Sequence, residues 1–173
     1  MITELYVDGG VIATNPSMIG GTYAYLYVNE EGQTEGAASV VTAAEMGSPV
    51  TNNQTEMLAL IYGLESLPDD FKGTVFSDSA VTLGRVFQGW KWSHIPEWMH
   101  KRFRAQRTRL VHWDEIHYVL LDGHPTKKQL ETGVGKRGHP VSIHNVWCDH
   151  ACGRVGTAYL EQLGKDIAVE VPA

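Results

Sequence analysis

The apolar pattern of this chain changes its period near residue 53, and no other feature restricts the fold as strongly. Upstream lie three β-prone segments, Thr3 to Val7, Thr22 to Val28 and Glu35 to Val41. The first stops at Asp8-Gly9-Gly10, and Asn29-Glu30-Glu31-Gly32 supplies the second turn, so the three predict an antiparallel meander. From Asn53 to Leu67, Met57, Leu60, Ile61 and Leu64 recur at helical spacing, with Thr51, Asn52 and Asn53 available as caps and Pro68 as the stop. A strand from Gly73 to Phe76 and a helix from Ser79 through Phe87 follow, then a helix opened by Pro96 and running to about Val111. Ile116 to Leu121 reads as the last strand and Asn145 to Leu163 as the last helix. Alternating strands and helices favour parallel pairing, so the class is α/β with a mixed sheet. Residues 122–142 carry four glycines and weak periodicity, which predicts a long loop with a helical turn near Gln129. Loops of that length in compact domains are often functional.

At 173 residues the chain suits one domain. Its core is expected over residues 3–164. No run approaches the roughly 18 apolar residues of a membrane span, and the opening Met-Ile-Thr-Glu-Leu resembles no leader, so a cytoplasmic location without membrane is expected. No protein partner is inferable. Cys148 and Cys152, near His144 and His150, raise the question of zinc. Structural zinc sites usually join two separated ligand pairs, and the second pair is missing, so reduced thiols in a helix are the reading adopted. An i, i+4 spacing also holds the Cβ atoms too far apart for easy disulfide closure.

The net charge of −6 runs against a polyanionic partner, but distribution matters more than the sum. Between positions 91 and 109 lie Lys91, Lys101, Arg102, Arg104, Arg107 and Arg109 against the single acid Glu97; Lys127, Lys128, Lys136 and Arg137 form a smaller group. Such a local footprint can meet phosphates while the remainder stays acidic. Four acids stand at element ends: Asp8 after the first strand, Asp78 after the fourth, and Glu56 and Asp149 in the first turns of helices. Collected on one sheet edge they would repel one another unless cations sat among them. Mg²⁺ takes such oxygen ligands, and two ions roughly 4 Å apart can serve an in-line phosphodiester displacement.

Composition cannot select these four from 20 acidic residues; their surroundings do. Tyr6-Val7-Asp8-Gly9-Gly10 with Asn15-Pro16 and Gly20-Gly21 downstream, Thr51-Asn52-Asn53-Gln54-Thr55-Glu56, Phe76-Ser77-Asp78-Ser79 and Asn145-Val146-Trp147-Cys148-Asp149 occur in that order. The ordered set resembles the type 1 ribonuclease H family over most of residues 3–155. That resemblance implies a single domain with a five-stranded mixed sheet and helices on its faces. It implies hydrolysis of the RNA strand of RNA–DNA hybrids, with two Mg²⁺ ions, or Mn²⁺, held by Asp8, Glu56, Asp78 and Asp149. It further implies substrate contacts from Gly9, Gly10, Asn15, Asn52 and Gln54, whose amide and backbone groups can bond the RNA 2′-hydroxyl. Turn chemistry at Asn15 and helix capping at Asn52 are compatible alternatives. Lys101, Arg104 and Arg107 are the expected phosphate contacts of the basic helix.

Two departures from the family pattern stand out. The family has a Gly-His after the fifth strand, and here there are two such triplets, Gly123-His124-Pro125 and Gly138-His139-Pro140. His124 directly follows the strand, whereas His139 keeps the family's ten-residue spacing to Asp149 and six-residue spacing to Asn145. An insertion between strand and helix accounts for both. His124 is preferred as the proton-transfer group, because a strand end fixes position better than a loop interior, with His139 as competitor. The second departure is Gly89-Trp90-Lys91-Trp92-Ser93-His94-Ile95-Pro96-Glu97-Trp98, where Trp98 is expected to be buried and Trp90 or Trp92 more exposed. A DNA-acting nuclease of the same fold, or a hybrid-binding module without catalysis, are the competing functions.

Overall fold

The computed structural model describes residues 1–170. β1 (Ile2–Val11), β2 (Gly20–Asn29) and β3 (Thr34–Thr42) form the expected meander. After the short α1 (Ala43–Met46) come α2 (Asn52–Glu65), β4 (Thr74–Ser77), α3 (Ala80–Phe87), α4 (Glu97–Arg109), β5 (His117–Leu120), α5 (Lys127–Thr132) and α6 (Ile143–Glu170). The five strands lie in the order β3-β2-β1-β4-β5; β4 runs parallel to both β1 and β5, so the sheet is mixed. Among the described residues no helix is long and apolar enough to cross a membrane.

β1 is central because both of its faces find partners. Leu5 and Val7 join Met57, Leu58, Leu60, Ile61 and Leu64 of α2 in the larger core, and Tyr6 joins Ala24, Leu26, Val28, Cys148, Ala151 and Cys152 in a second core under α6. This is the period-two alternation of a strand packed between two layers. α2 departs from a single apolar stripe: residues 54–61 are all buried, since the sheet covers one side and α3 and α4 the other. Each fully buried leucine or isoleucine there contributes roughly 1.5–3 kcal/mol.

Several boundaries differ from the sequence reading. β1 does not stop at Asp8 but pairs onward, Gly9 with Tyr23 and Gly10 with Thr22. α2 starts at Asn52, so Thr51 rather than Asn52 or Asn53 is its N-cap; the Thr51 side chain accepts from the Gln54 N–H, and the Gln54 side chain accepts from the Thr51 N–H. Pro96 is the residue before α4, not its first helical residue. α6 begins earlier than expected and continues past Gly164. In the long loop, α5 forms around Gln129, closed by the left-handed Gly133, and Val134 bridges Pro140.

Candidate active site

β4 and β5 end at Ser77 and Leu120, while β1 continues past its last partner in β4, Tyr6 opposite Phe76. The carboxyl ends of parallel strands therefore open into a crevice, the usual place for ligands in α/β sheets. Asp8 enters it from β1, Asp78 from the turn after β4 and Glu56 from the second turn of α2. Glycine at position 9 is what lets α2 come so close: a Cβ there would fall on the backbone of Thr55 and Glu56. Gly123 does the same on the β5 side, where a Cβ would lie 2.6 Å from Asp78 Oδ2. The outcome is a trio in which one carboxylate oxygen from each of Asp8, Glu56 and Asp78 lies within 4.8 Å of the others.

The trio is electrostatically costly as it stands. Burial, then the neighbouring charge of Asp78, pushes the Asp8 carboxyl up to about 8. Burial, then Asp8 and Asp78, raises Glu56 well above its usual range. Burial also raises Asp78, against the opposing effects of the Asn145 amide, which donates to Asp78 Oδ2 at 3.3 Å, and of His124. Glu56 Oε2 and Asn145 Oδ1 are buried without hydrogen-bond partners. Clustered hard oxygen donors with an orphaned buried carboxylate oxygen fit a divalent cation, which would take the place of the protons that the raised carboxyls hold.

The surrounding cleft has a volume of about 740 Å³. Gly10, Asn52, His124, Gln129, Lys136, Arg137, His139 and Asp149 line it together with the trio. Asp149, half-exposed on α6, stands on the rim outside the tight trio. His124 is 81% exposed, adopts a left-handed backbone (φ 50°) and places Nδ1 3.5 Å from Asp149 Oδ2. His139 is held instead by Asp122, whose buried carboxylate receives its Nδ1 at 2.9 Å. The two histidines thus reach the same cleft by different anchors. Asp122 was not singled out from sequence; an acid two residues past the end of β5 whose partners lie 15 and 17 residues on leaves no local signal.

The remaining expected contacts divide. Asn15 Oδ1 accepts from the Asn52 N–H at 3.1 Å, tying the β1–β2 loop to the start of α2. Gln54 has partners within the protein: its oxygen accepts from the Thr51 N–H in the capping box and its Nε2 donates to the His94 carbonyl at 2.9 Å. Arg104 and Arg107 line a separate depression of about 580 Å³ with Trp90, Trp92 and Trp113, and Lys101 is exposed on the same helix. Arg104 also pairs with Glu97 at 3.1 Å. Two other members of the basic run are internal staples: Arg102 pairs with Glu65 and stacks on Tyr62, and Arg109 binds Asp69 and the Leu64 and Leu67 carbonyls. Trp90 is exposed as expected, whereas Trp98 is only partly buried because α4 is covered on one side alone. Cys148 and Cys152 are buried free thiols, and among the described residues the acidic trio is the one group arranged to hold a metal.

Residues 2–153 match the family model described as RNase H. The chain is 27% identical over 149 residues to a ribonuclease H of Caldicellulosiruptor saccharolyticus, covering 84% of this chain and 89% of that protein. It is 24% identical over 148 residues to a ribonuclease H of Thermoanaerobacter pseudethanolicus, covering 86% and 85%. Among solved structures it is similar to LC11-RNase H1 isolated from compost, with a TM-score of 0.61 and 18% identity, covering 91% of this chain and 96% of that one. A second structure of LC11-RNase H1, in complex with RNA/DNA hybrid, has a TM-score of 0.61 at 17% identity and covers 92% and 99%.

Proposed function

The chain belongs to the ribonuclease H family, and from that premise we propose that it hydrolyses the RNA strand of RNA–DNA hybrids at the cleft formed by Asp8, Glu56 and Asp78. The observation that carries this reading is the convergence of three carboxylates from three separate elements, two of them buried, with an unpartnered oxygen among them. Such a cluster is unfavourable for the fold and suits a site that receives cations together with a phosphodiester. Asp8, Glu56, Asp78 and Asp149 would hold two Mg²⁺ ions, with Mn²⁺ as substitute, which when bound neutralise the phosphate's charge and activate the attacking water.

The protein's own groups have distinct tasks. Glu56 is held rigid by α2 and excluded from solvent, so its carboxylate keeps a fixed direction into the cleft. Asn145 orients Asp78 through its Nδ2. His124, exposed at the cleft mouth beside Asp149, takes up and releases a proton, the role for which an imidazole is suited. Asn52, which lines the cleft, and Asn15, whose Oδ1 accepts from the Asn52 backbone N–H, would offer amide groups to a 2′-hydroxyl. Gly9 and Gly10 present bare backbone beside them.

The test is hydrolysis of end-labelled hybrid, duplex RNA and duplex DNA with Mg²⁺, followed on denaturing gels. Cleavage confined to the RNA strand of the hybrid is expected. Cleavage of duplex DNA would make the protein a DNA-acting nuclease of this fold, and hybrid binding without cleavage would make it a binding module.

A further inference from the structure

The segment between β5 and α6 is built around a buried acid. Asp122 Oδ2 accepts from the backbone N–H of Arg137 at 2.7 Å and of His139 at 3.2 Å, and Oδ1 receives His139 Nδ1 at 2.9 Å. The Asp122 N–H donates to the Pro140 carbonyl at 2.9 Å, and a Cβ on Gly135 would collide with the Asp122 side chain. The turn at 135–140 is therefore folded down onto the end of β5. Its two charged side chains, Lys136 and Arg137, are exposed and line the same cleft as the carboxylates. Neither makes an ion pair among the described residues.

We propose that this turn is a phosphate clamp on the wall of the carboxylate cleft, with Lys136 and Arg137 binding the backbone of the strand that is cut and Asp122 as the positioning residue that aims them. The inference rests on the hybrid-cleaving reading given above. A cleft lined by the acids Asp8, Glu56, Asp78, Asp122 and Asp149 repels a polyanion, and two cations held in the same cleft offset part of that repulsion where the scissile phosphate must enter. Unpaired side chains alone would sample many orientations. Anchoring their backbone through charge-assisted hydrogen bonds to a buried carboxylate reduces the ordering cost on binding.

The experiment compares wild type, Lys136→Ala/Arg137→Ala, Asp122→Ala, Asp122→Asn and the Asp122→Ala/Lys136→Ala/Arg137→Ala triple variant. Steady-state hybrid cleavage is measured at several salt concentrations, and hybrid binding is measured in an Asp78→Asn background. The double variant should raise KM about tenfold near 0.1 M salt and reduce the slope of log affinity against log salt by about one to two, with the loss falling on KM rather than kcat. Asp122→Ala should shift KM and slope in the same direction, the triple variant should be no worse than the double, and Asp122→Asn, which keeps an acceptor for the two backbone N–H groups, should recover part of the loss. A merely structural role for Asp122 would lower thermal stability and leave the salt slope unmoved, and that result overturns its positioning role. Should Asp122→Ala not fold, the double variant and Asp122→Asn still decide. Wild-type hybrid cleavage with KM and salt slope unchanged in the double variant overturns the clamp alone; absence of hybrid cleavage by wild type overturns the function itself and the clamp with it.

Discussion

Replacing Asp8 by asparagine should stabilise the metal-free protein, by an amount that depends on pH in a calculable way. Asp8 is 5% exposed, and its carboxyl is raised from an ordinary 3.8 to about 8 by burial and by Asp78. The folded state therefore holds a proton that the unfolded chain releases above about pH 4. The sign follows: below pH 4 both states are protonated and nothing is lost, whereas stability falls as pH rises from 4 towards 8. At pH 7 the gap is about three pH units at 1.36 kcal/mol each, an upper figure of about 4 kcal/mol. The asparagine side chain carries no such proton and can still accept the Gly9 N–H that now bonds Asp8 Oδ1 at 3.0 Å. In EDTA, Asp8→Asn should thus raise Tm at pH 7 by up to roughly 8–16 °C, and the gain should shrink to almost nothing at pH 4. Millimolar Mg²⁺ should stabilise the wild type by mass action and the variant much less, while hybrid cleavage by the variant is abolished. Thermal melts across pH 4–8, with EDTA and with Mg²⁺, measure all of this. A pH-independent difference, or a variant less stable than wild type at pH 7 without metal, would refute the electrostatic account.

His124→Ala should lower turnover by roughly 10–100-fold with little change in hybrid affinity, while His139→Ala should change turnover less because its ring serves Asp122; loss at His139 with retention at His124 would reverse the assignment. Gly9→Ala should cost about 3 kcal/mol in urea unfolding and lose activity together, since the added methyl falls on the α2 backbone and must push Glu56 away; wild-type stability would show that α2 can yield. Arg104→Ala with Arg107→Ala should weaken hybrid binding and reduce its salt slope by about one to two while cleavage at saturating substrate persists; an unchanged slope would show that the depression with Trp90 and Trp92 does not meet nucleic acid.

What could be read from sequence was what is local or periodic. Met57, Leu60, Ile61 and Leu64 announced α2, and the turn residues between the first strands announced the meander, because each depends on neighbours a few positions away. The basic run at 91–109 was legible as charge but not as function. Arg102 and Arg109 find Glu65 and Asp69 some 40 residues back in the chain, and only tertiary packing separates these staples from the exposed Lys101, Arg104 and Arg107. Gln54 carries a structural task that is local in sequence: it closes the capping box with Thr51 at the start of α2.

The two cysteines explain why the long segment before α6 need not disturb the cleft. Cys148 and Cys152 are one helical turn apart and flank Asp149 in sequence. Both are buried against β1, Cys148 Sγ 3.8 Å from the Tyr6 carbonyl and Cys152 Sγ 3.6 Å from the Asp8 carbonyl. Burial pushes the Cys152 thiol up to about 12 and raises Cys148 as well, so both remain protonated donors rather than metal-binding thiolates. Their packing fixes the rotation of α6 about its axis, and with it the side of the helix on which Asp149 and Asn145, four residues apart, meet the trio's edge. The register of these residues is thus set by α6 against β1, not by the chain that leads into the helix. The segment between Leu120 and Ile143 can therefore carry α5, Asp122, Lys136 and Arg137 while the acid geometry stays under the control of β1, β4, α2 and α6.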